Sequence, residues 1–495
     1  MKDNELKNKT ISGFFWKFGE DGISKIINFV ISIILARLLL PEDYGLIALV
    51  SVFITICDKI VVSGFATALI QKKDADGVDF STVFYFSFVT SVILYILLFL
   101  AAPYIADFYM AFDKELLVPV IRVMGIQIVL TAISSVQSAY VSRTMQFEKF
   151  FWSNSVGIAV SAIVGIYMAY AGYGVWALVA QYLIKASVGM TVLWFTSGWR
   201  IERSFSVARF KALYSYGWKI FSASMIKVLY NDLRSLVIGK FFSADALAFY
   251  SKGQSFPQLI EGSVCGTIDS VFFPAVSKKQ SSKEDMLKML RRTISVSSYL
   301  LTPMLFGLAA VGPSLITVLL TEKWLPCVFY LQVISIAFIT TPLEIENLQA
   351  IKAVGRSDIV LKLEIAKRII GIALLIVAIP FGVEAIAISF LISNIISAIL
   401  NAIPSAKLFG YSLFQQLTDI IPGVIISAIM FAIVYIVGYI NLSPIWKLVV
   451  QICAGITSYA LVSLIFKTES FNYILNTIKL FLGKEKMVDD KQKNN

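Results

Sequence analysis

Five basic residues interrupt stretches of the chain that are otherwise apolar enough to cross a membrane. They are Lys25, Lys59, Lys227, Arg234 and Lys252. A charge at the centre of a bilayer costs about 2.5–3.5 kcal/mol on insertion scales, so each of these cations needs a compensating role. Ammonium and guanidinium groups that converge in a polar cavity bind phosphate and diphosphate well. These residues therefore predict a cationic cavity for an anionic headgroup.

Polar residues accompany these cations in the same apolar stretches. The expected polar lining of the cavity is Glu20, Asn28, Asp58, Asn231 and Glu261. In the first stretch the polar positions recur at helical spacing, and such a stripe in a membrane helix faces a bundle interior or a cavity. Weaker candidates for the same lining are Lys185, Arg122, Glu344 and Glu346.

The same charges also fit a purely structural role. Asp58 can pair with Lys59, and Asp232 with Arg234, and such ion pairs would only fix how the helices pack. The sequence alone leaves both interpretations open.

Residue types give little support for catalytic or metal-binding chemistry. The chain has no histidine, which excludes a Ser-His-Asp triad and histidine metal ligands. Its four cysteines lie far apart in sequence, and no phosphate-binding P-loop is present. We therefore expect no enzymatic activity and no cofactor or metal.

Long apolar helices must position these cations. Of 495 residues, 58% are hydrophobic and only 15% are charged, against about 25% in soluble proteins. Apolar segments of about 20 residues recur along the chain and predict an all-α integral membrane protein with about 14 transmembrane helices. The net charge of +11 does not indicate a nucleic-acid partner, because the basic residues lie between the apolar spans.

Alternate loops differ in charge. The segments rich in Lys and Arg are 71–80, 143–149, 197–213, 276–292, 352–368 and the tail 467–495. The loops between them are short and nearly free of basic residues, so the positive-inside rule places both termini in the cytoplasm. Within the fourth segment, residues 277–292 are expected to form an amphipathic connector on the inner leaflet.

An internal duplication organises the predicted spans. Trp16 and Lys25 in the first span recur at the same spacing as Trp218 and Lys227 in the seventh. This repeat predicts two pseudo-symmetric six-helix lobes with a cleft between them, followed by two extra helices. The predicted divisions are 1–205, 206–410, 411–467 and a cytoplasmic tail, 468–495.

Several short stretches, taken in order, resemble those of polysaccharide flippases of the Wzx type, in the multidrug/oligosaccharidyl-lipid/polysaccharide exporter superfamily. They are ARLLLPEDYGL (36–46), GFATALIQ (64–71), MQFEK (145–149), FPAVSK (273–278), KW (323–324) and AVGRSD (353–358). The resemblance implies a lipid-linked oligosaccharide as cargo, carried on a polyprenyl diphosphate and moved to the outer leaflet of a bacterial cytoplasmic membrane for capsule or lipopolysaccharide biosynthesis.

The resemblance also implies alternating access, contact with membrane lipids, and a polymerase and glycosyltransferases as pathway partners. Some members couple transport to Na⁺ or H⁺. In the seventh span, Arg234 stands where the family often has an acidic residue, which disfavours cation coupling there and favours anion binding. Two other interpretations are an ion-coupled multidrug-type exporter, which would need unpaired acids in its cavity, and a membrane enzyme such as a glycan polymerase.

We expect alanine at Lys25, Lys59, Lys227 or Arg234 to weaken transport while the protein still inserts, because each change removes one charge that binds the anionic cargo. Surface glycan and the membrane level of each variant measure the two effects. Normal transport by all four variants would contradict a cationic cavity.

Overall fold

The computed structural model describes residues 22–62, 64–72, 74–277 and 282–466, together with 468–469, 471–473 and 475–476. Glu20, predicted to line the cavity, lies outside the described residues. Across the described part of the chain, the regular structure is helical. In chain order the helices are α1 (22–38), α2 (Pro41–Val62), α3 (Phe65–Gln71), α4 (Gly77–Phe108), α5 (Lys114–Met124), α6 (Ile126–Arg143), α7 (Glu148–Tyr170), α8 (Val175–Thr196), α9 (Val207–Phe241), α10 (Ala244–Ser277), α11 (Lys283–Leu320), α12 (Cys327–Phe338), α13 (Thr341–Ala353), α14 (Ser357–Ala378), α15 (Val383–Phe409), α16 (Leu413–Val437) and α17 (Pro444–Phe466).

Ten helical stretches in the described residues are long and apolar enough to cross a membrane. Three of them join two helices each, namely α2 with α3, α5 with α6, and α12 with α13. Helices α1, α9, α10 and α14 complete the set, and the last three are more highly charged. The predicted all-α fold with about fourteen transmembrane helices is confirmed.

Large apolar side chains cover the outside of the helices. Ile163, Phe195, Val377 and Ile456 are between 65% and 72% exposed. A soluble monomer rarely leaves so much apolar surface in contact with water, whereas in a bilayer the lipid tails cover it. The protein is therefore a multi-pass membrane protein.

The chain forms two compact units that divide between Ala248 and Phe249. In the first unit, α7 packs on α8, α4 on α6, and α9 on α2. In the second unit, α11 packs on α16, α16 on α17, and α14 on α15. The predicted duplication with its division at 205/206 stays a prediction, and in the structure α9 packs within the first unit.

A charged cluster ties the start of α4 to the start of α9 in the first unit. Asp76 and Asp79 form a capping box at the N-terminus of α4, and the fully buried carboxylate of Asp79 accepts from Lys72 at 2.6 Å. Arg209 pairs with Asp76 and lies 3.4 Å from Asp79. The hydrogen bond from Arg209 lowers the pKa of Asp76 below its usual value.

Two predicted loops are shorter than expected. Helix α9 begins at Val207, inside the predicted loop 197–213, because the side chain of Ser206 caps its first turn. From Lys283 onward, the predicted connector 277–292 is part of α11 and not a separate helix. Ser282 caps α11, and the helix then runs without interruption into the membrane-spanning part.

A glycine separates α2 from α3. Gly64 has φ +90°, a conformation that only glycine adopts at low cost, and a Cβ there would overlap the carbonyl oxygen of Gly217 on α9. The break and the close helix contact therefore both require glycine.

We expect Gly64→Ala to destabilise the protein by more than the roughly 1–2 kcal/mol of backbone strain alone, because steric overlap with α9 adds to it. The matched control is Gly172→Ala, because Gly172 has φ +82° with open space around it. Thermal midpoints of the detergent-purified variants measure both effects. Equal losses in the two variants would mean that the contact with Gly217 contributes nothing.

Candidate functional site

Three of the predicted cations lie on neighbouring helices of the first unit. Lys25 is on α1, Lys59 on α2 and Lys227 on α9, and all three side chains are exposed. Within the described residues, none of the three ammonium groups has a carboxylate within salt-bridge distance. None of them is therefore held in an ion pair, although Asp58 interacts electrostatically with Lys59.

With the predicted orientation, helix geometry would place Lys25 and Lys227 within the hydrocarbon core and Lys59 near its inner edge. At 1.5 Å per residue, Lys25 and Lys227 lie ~20 Å, and Lys59 ~27 Å, from the helix ends predicted to be on the outer side. The hydrocarbon core is about 30 Å thick. An unpaired ammonium at this depth is costly unless a water-filled cavity or an anion solvates it.

A fourth cation joins this region. Lys185 of α8 donates to the side-chain oxygen of Asn28 at 3.2 Å, and Asn28 itself donates to the carbonyl of Ser24 at 2.7 Å. The bond links α8 to α1. From the sequence alone, Lys185 ranked among the weaker candidates.

The structural alternative of an ion pair between Asp58 and Lys59 is not realised. The two side chains are not within salt-bridge distance, and one carboxylate oxygen of the half-buried Asp58 has no hydrogen-bond partner in the described part of the chain. Lys59 therefore remains available to a ligand.

The remaining predicted residues of the first unit lie on α9. Arg234 is only 4% exposed and its guanidinium lies 5.7 Å from the ring centroid of Tyr230. Asn231 is exposed one turn earlier on the same helix. Arg234 is thus held against an aromatic ring in this structure, whereas Lys227 is open.

Two predicted residues belong to the second unit. Lys252 is 8% exposed and its ammonium lies 5.8 Å from the ring centroid of Trp324. Glu261 is half-buried on the same helix, α10. The structure therefore groups Lys25, Lys59 and Lys227 in one unit and leaves Lys252 and Glu261 in the other.

Sequence reasoning missed a buried charge network in the second unit. The ammonium of Lys367 on α14 lies 2.9 Å from Glu344 of α13 and 2.6 Å from Glu364 of its own helix. Arg368 also pairs with Glu364 at 3.1 Å, and the amide of Asn401 on α15 donates to the carbonyl of Glu344 at 2.9 Å. The network joins three helices.

The sequence did contain a signal for this network. Glu364 and Lys367 are three residues apart and fall on one face of a helix, directly before an apolar run. The prediction instead assigned Lys367 and Arg368 to the basic loop 352–368. In the structure α14 begins at Ser357, so both residues lie within the helix.

The two charged regions differ in what they can do chemically. Lys367 is neutralised by two carboxylates, so its ammonium is not available to a ligand. The open lysines of the first unit can bind phosphate oxygens. No group of three or more metal-ligating side chains occurs among the described residues.

Fold and charge placement together define a polytopic helical membrane protein with cations inside its spans. The chain belongs to the polysaccharide biosynthesis protein family, whose model matches residues 34–329. This result confirms the resemblance to Wzx-type proteins that the sequence motifs predicted.

Curated relatives and a solved structure agree with this membership. The chain is 27% identical over 307 residues to the teichuronic acid biosynthesis protein TuaB of Bacillus subtilis, which covers 60% of the chain and 61% of the relative. It is 22% identical over 400 residues to the lipopolysaccharide biosynthesis protein WzxC of Escherichia coli, covering 80% of each. The chain thus spans about three fifths of the length of TuaB.

The fold is similar to that of the lipid II flippase MurJ in an inward closed conformation. The TM-score is 0.75 at 14% identity, and the match covers 92% of this chain and 98% of the other. At this identity the likeness concerns the fold alone.

We expect Lys367→Met to destabilise the second unit by about 3–5 kcal/mol, because it leaves Glu344 without a compensating charge. The double variant E344Q/K367M should recover most of this loss, since Glu364 keeps Arg368. Lys288→Gln is the control, because Lys288 belongs to an exposed pair with Glu284. Its expected effect on the thermal midpoint is close to zero. A double variant no more stable than Lys367→Met would contradict a mainly electrostatic role.

Proposed function

We propose that this protein moves polyprenyl-diphosphate-linked oligosaccharides from the cytoplasmic to the outer leaflet of a bacterial cytoplasmic membrane by alternating access. Three exposed lysines of the first unit that form no ion pair within the described residues carry this proposal. Membership in the polysaccharide biosynthesis family and the flippase-like fold support it.

The cargo presents two physical problems. A diphosphate carries negative charge, and each sugar hydroxyl is costly to strip of water in hydrocarbon. Lysines at membrane depth would offset the charge of the diphosphate. Polar neighbours such as Asn28 and Asn231 would exchange hydrogen bonds with the hydroxyls, while the polyprenyl chain stays in lipid.

The proposal includes the orientation of the protein in the membrane and the other proteins of its pathway. Both termini lie in the cytoplasm, the glycosyltransferases of the pathway supply the cargo, and a polymerase receives it on the outer side. The protein itself performs no chemistry on the glycan and holds no cofactor. Coupling to Na⁺ or H⁺ would not run through Arg234, which is a cation itself.

The test uses a strain that lacks the gene and a glycan label that cannot enter the cytoplasm. We expect lipid-linked oligosaccharide to accumulate out of reach of the label and to become accessible when the gene is restored. Normal surface glycan with altered drug sensitivity would contradict this function and favour a multidrug-type exporter.

The charge dependence needs a matched comparison. We expect the triple variant K25Q/K59Q/K227Q to reduce export at least about tenfold, since it removes three charge-assisted contacts to the diphosphate. The control triple K114Q/K288Q/R356Q removes the same charge from exposed residues that each pair with a carboxylate. Equal export by the two triples would show that only net charge matters.

A further inference from the structure

A cavity of about 400 Å³ lies in the second unit where α11, α16 and α17 meet. Its wall includes Tyr435, Tyr439, Lys447 and Gln451. Among the described residues that line it, Lys447 is the only charged one. A single cation with no carboxylate beside it attracts an anionic group.

Gln451, which lines this cavity, carries an unused hydrogen-bond acceptor. The side chain is 2% exposed, and its amide nitrogen donates to the carbonyl of Val434 at 3.2 Å. Its Oε1 has no hydrogen-bond partner in the part of the chain that the structure describes. A buried carbonyl without a donor is unfavourable, so a ligand with an N–H or O–H group would be stabilised there.

An apolar groove of about 670 Å³ continues from the same glutamine. Met304 and Leu308 of α11 and Ile452 of α17 line it, and it shares Gln451 with the cavity that contains Lys447. The cavity that contains Lys447 and the apolar groove therefore meet at one residue. This arrangement matches an amphiphile with a small polar head and a hydrocarbon chain.

The position of the cavity fits the membrane interface. Tyr439 and Trp446 beside it are 73% and 65% exposed, as is typical of the aromatic belt at headgroup level. The loop between α16 and α17 is one of those predicted to lie on the outer side. A lipid of that leaflet would reach the cavity by lateral diffusion.

We propose that this cavity binds the headgroup of a glycerophospholipid from the outer leaflet. The phosphate lies at Lys447, a donor of the headgroup reaches Oε1 of Gln451, and one acyl chain occupies the groove. The site shares no residue with the lysines proposed to bind the transported diphosphate. It therefore adds a resident lipid to the second unit.

Native mass spectrometry of the delipidated, full-length protein tests this site with phosphatidylglycerol, phosphatidylethanolamine and phosphatidylcholine. The first two carry hydroxyl or ammonium donors, whereas choline has none. We expect the first two to bind about tenfold more tightly than phosphatidylcholine. Lys447→Gln should weaken all three, whereas Gln451→Met should abolish the preference for headgroups with donors.

The control is Lys114→Gln, because Lys114 is exposed at a predicted outer helix end of the first unit and pairs with Asp107. Equal binding of the three lipids, unchanged by Lys447→Gln, would overturn the proposal. Displacement of phosphatidylglycerol by a polyprenyl phosphate that needs the same Lys447 and Gln451 would also overturn it, by assigning the cavity to the carrier lipid. Transport is measured separately, so either result leaves the proposed function standing.

Discussion

The hydrocarbon interior of a membrane offers no water to a backbone amide or to a charged side chain. Every span in the described chain is accordingly helical, because a helix satisfies its own backbone. The same constraint makes each ionisable side chain within a span costly, so its surroundings indicate its role. A charge that is paired with an opposite charge stabilises the packing of the helices. A charge without such a pair needs water or a ligand to solvate it.

The two units differ in how the charged side chains within their helices are compensated. In the second, Lys367 is paired with two carboxylates, which leaves little capacity to bind anything else. In the first, Lys25, Lys59 and Lys227 are exposed and form no ion pair within the described residues. An anionic cargo complements the first arrangement, whereas the second fixes α13, α14 and α15 relative to one another.

Composition and periodicity were sufficient to predict the all-α fold, because lipid-facing helices must be apolar along about 20 residues. Position within apolar spans also singled out Lys25, Lys59 and Lys227, but only together with Arg234 and Lys252. It could not identify the pairing of Lys367 with Glu344, since that contact joins two helices and depends on how they pack. Counting charges per loop concealed it further, because the predicted basic loop 352–368 includes the first twelve residues of α14.

The sequence also could not distinguish an exposed cation from one that is buried against other side chains. Arg234 and Lys227 lie on one helix, two turns apart, and both interrupt an apolar run. Only the packed structure shows that Arg234 is held against Tyr230 while Lys227 is exposed. The break at Gly64 was likewise hidden, because a glycine within an apolar run does not by itself indicate the neighbour that requires it.

The pairing of Glu344 with Lys367 also constrains biosynthesis. The two residues are separated by 23 positions, so during synthesis the carboxylate emerges from the ribosome before its ammonium. A lone carboxylate is poorly tolerated when a helix enters the bilayer singly. Insertion is therefore most favourable when α13 and α14 enter the bilayer together, as a hairpin in which Glu344 and Lys367 are already paired. The order of Glu344 and Lys367 along the chain thus affects how these helices insert into the membrane.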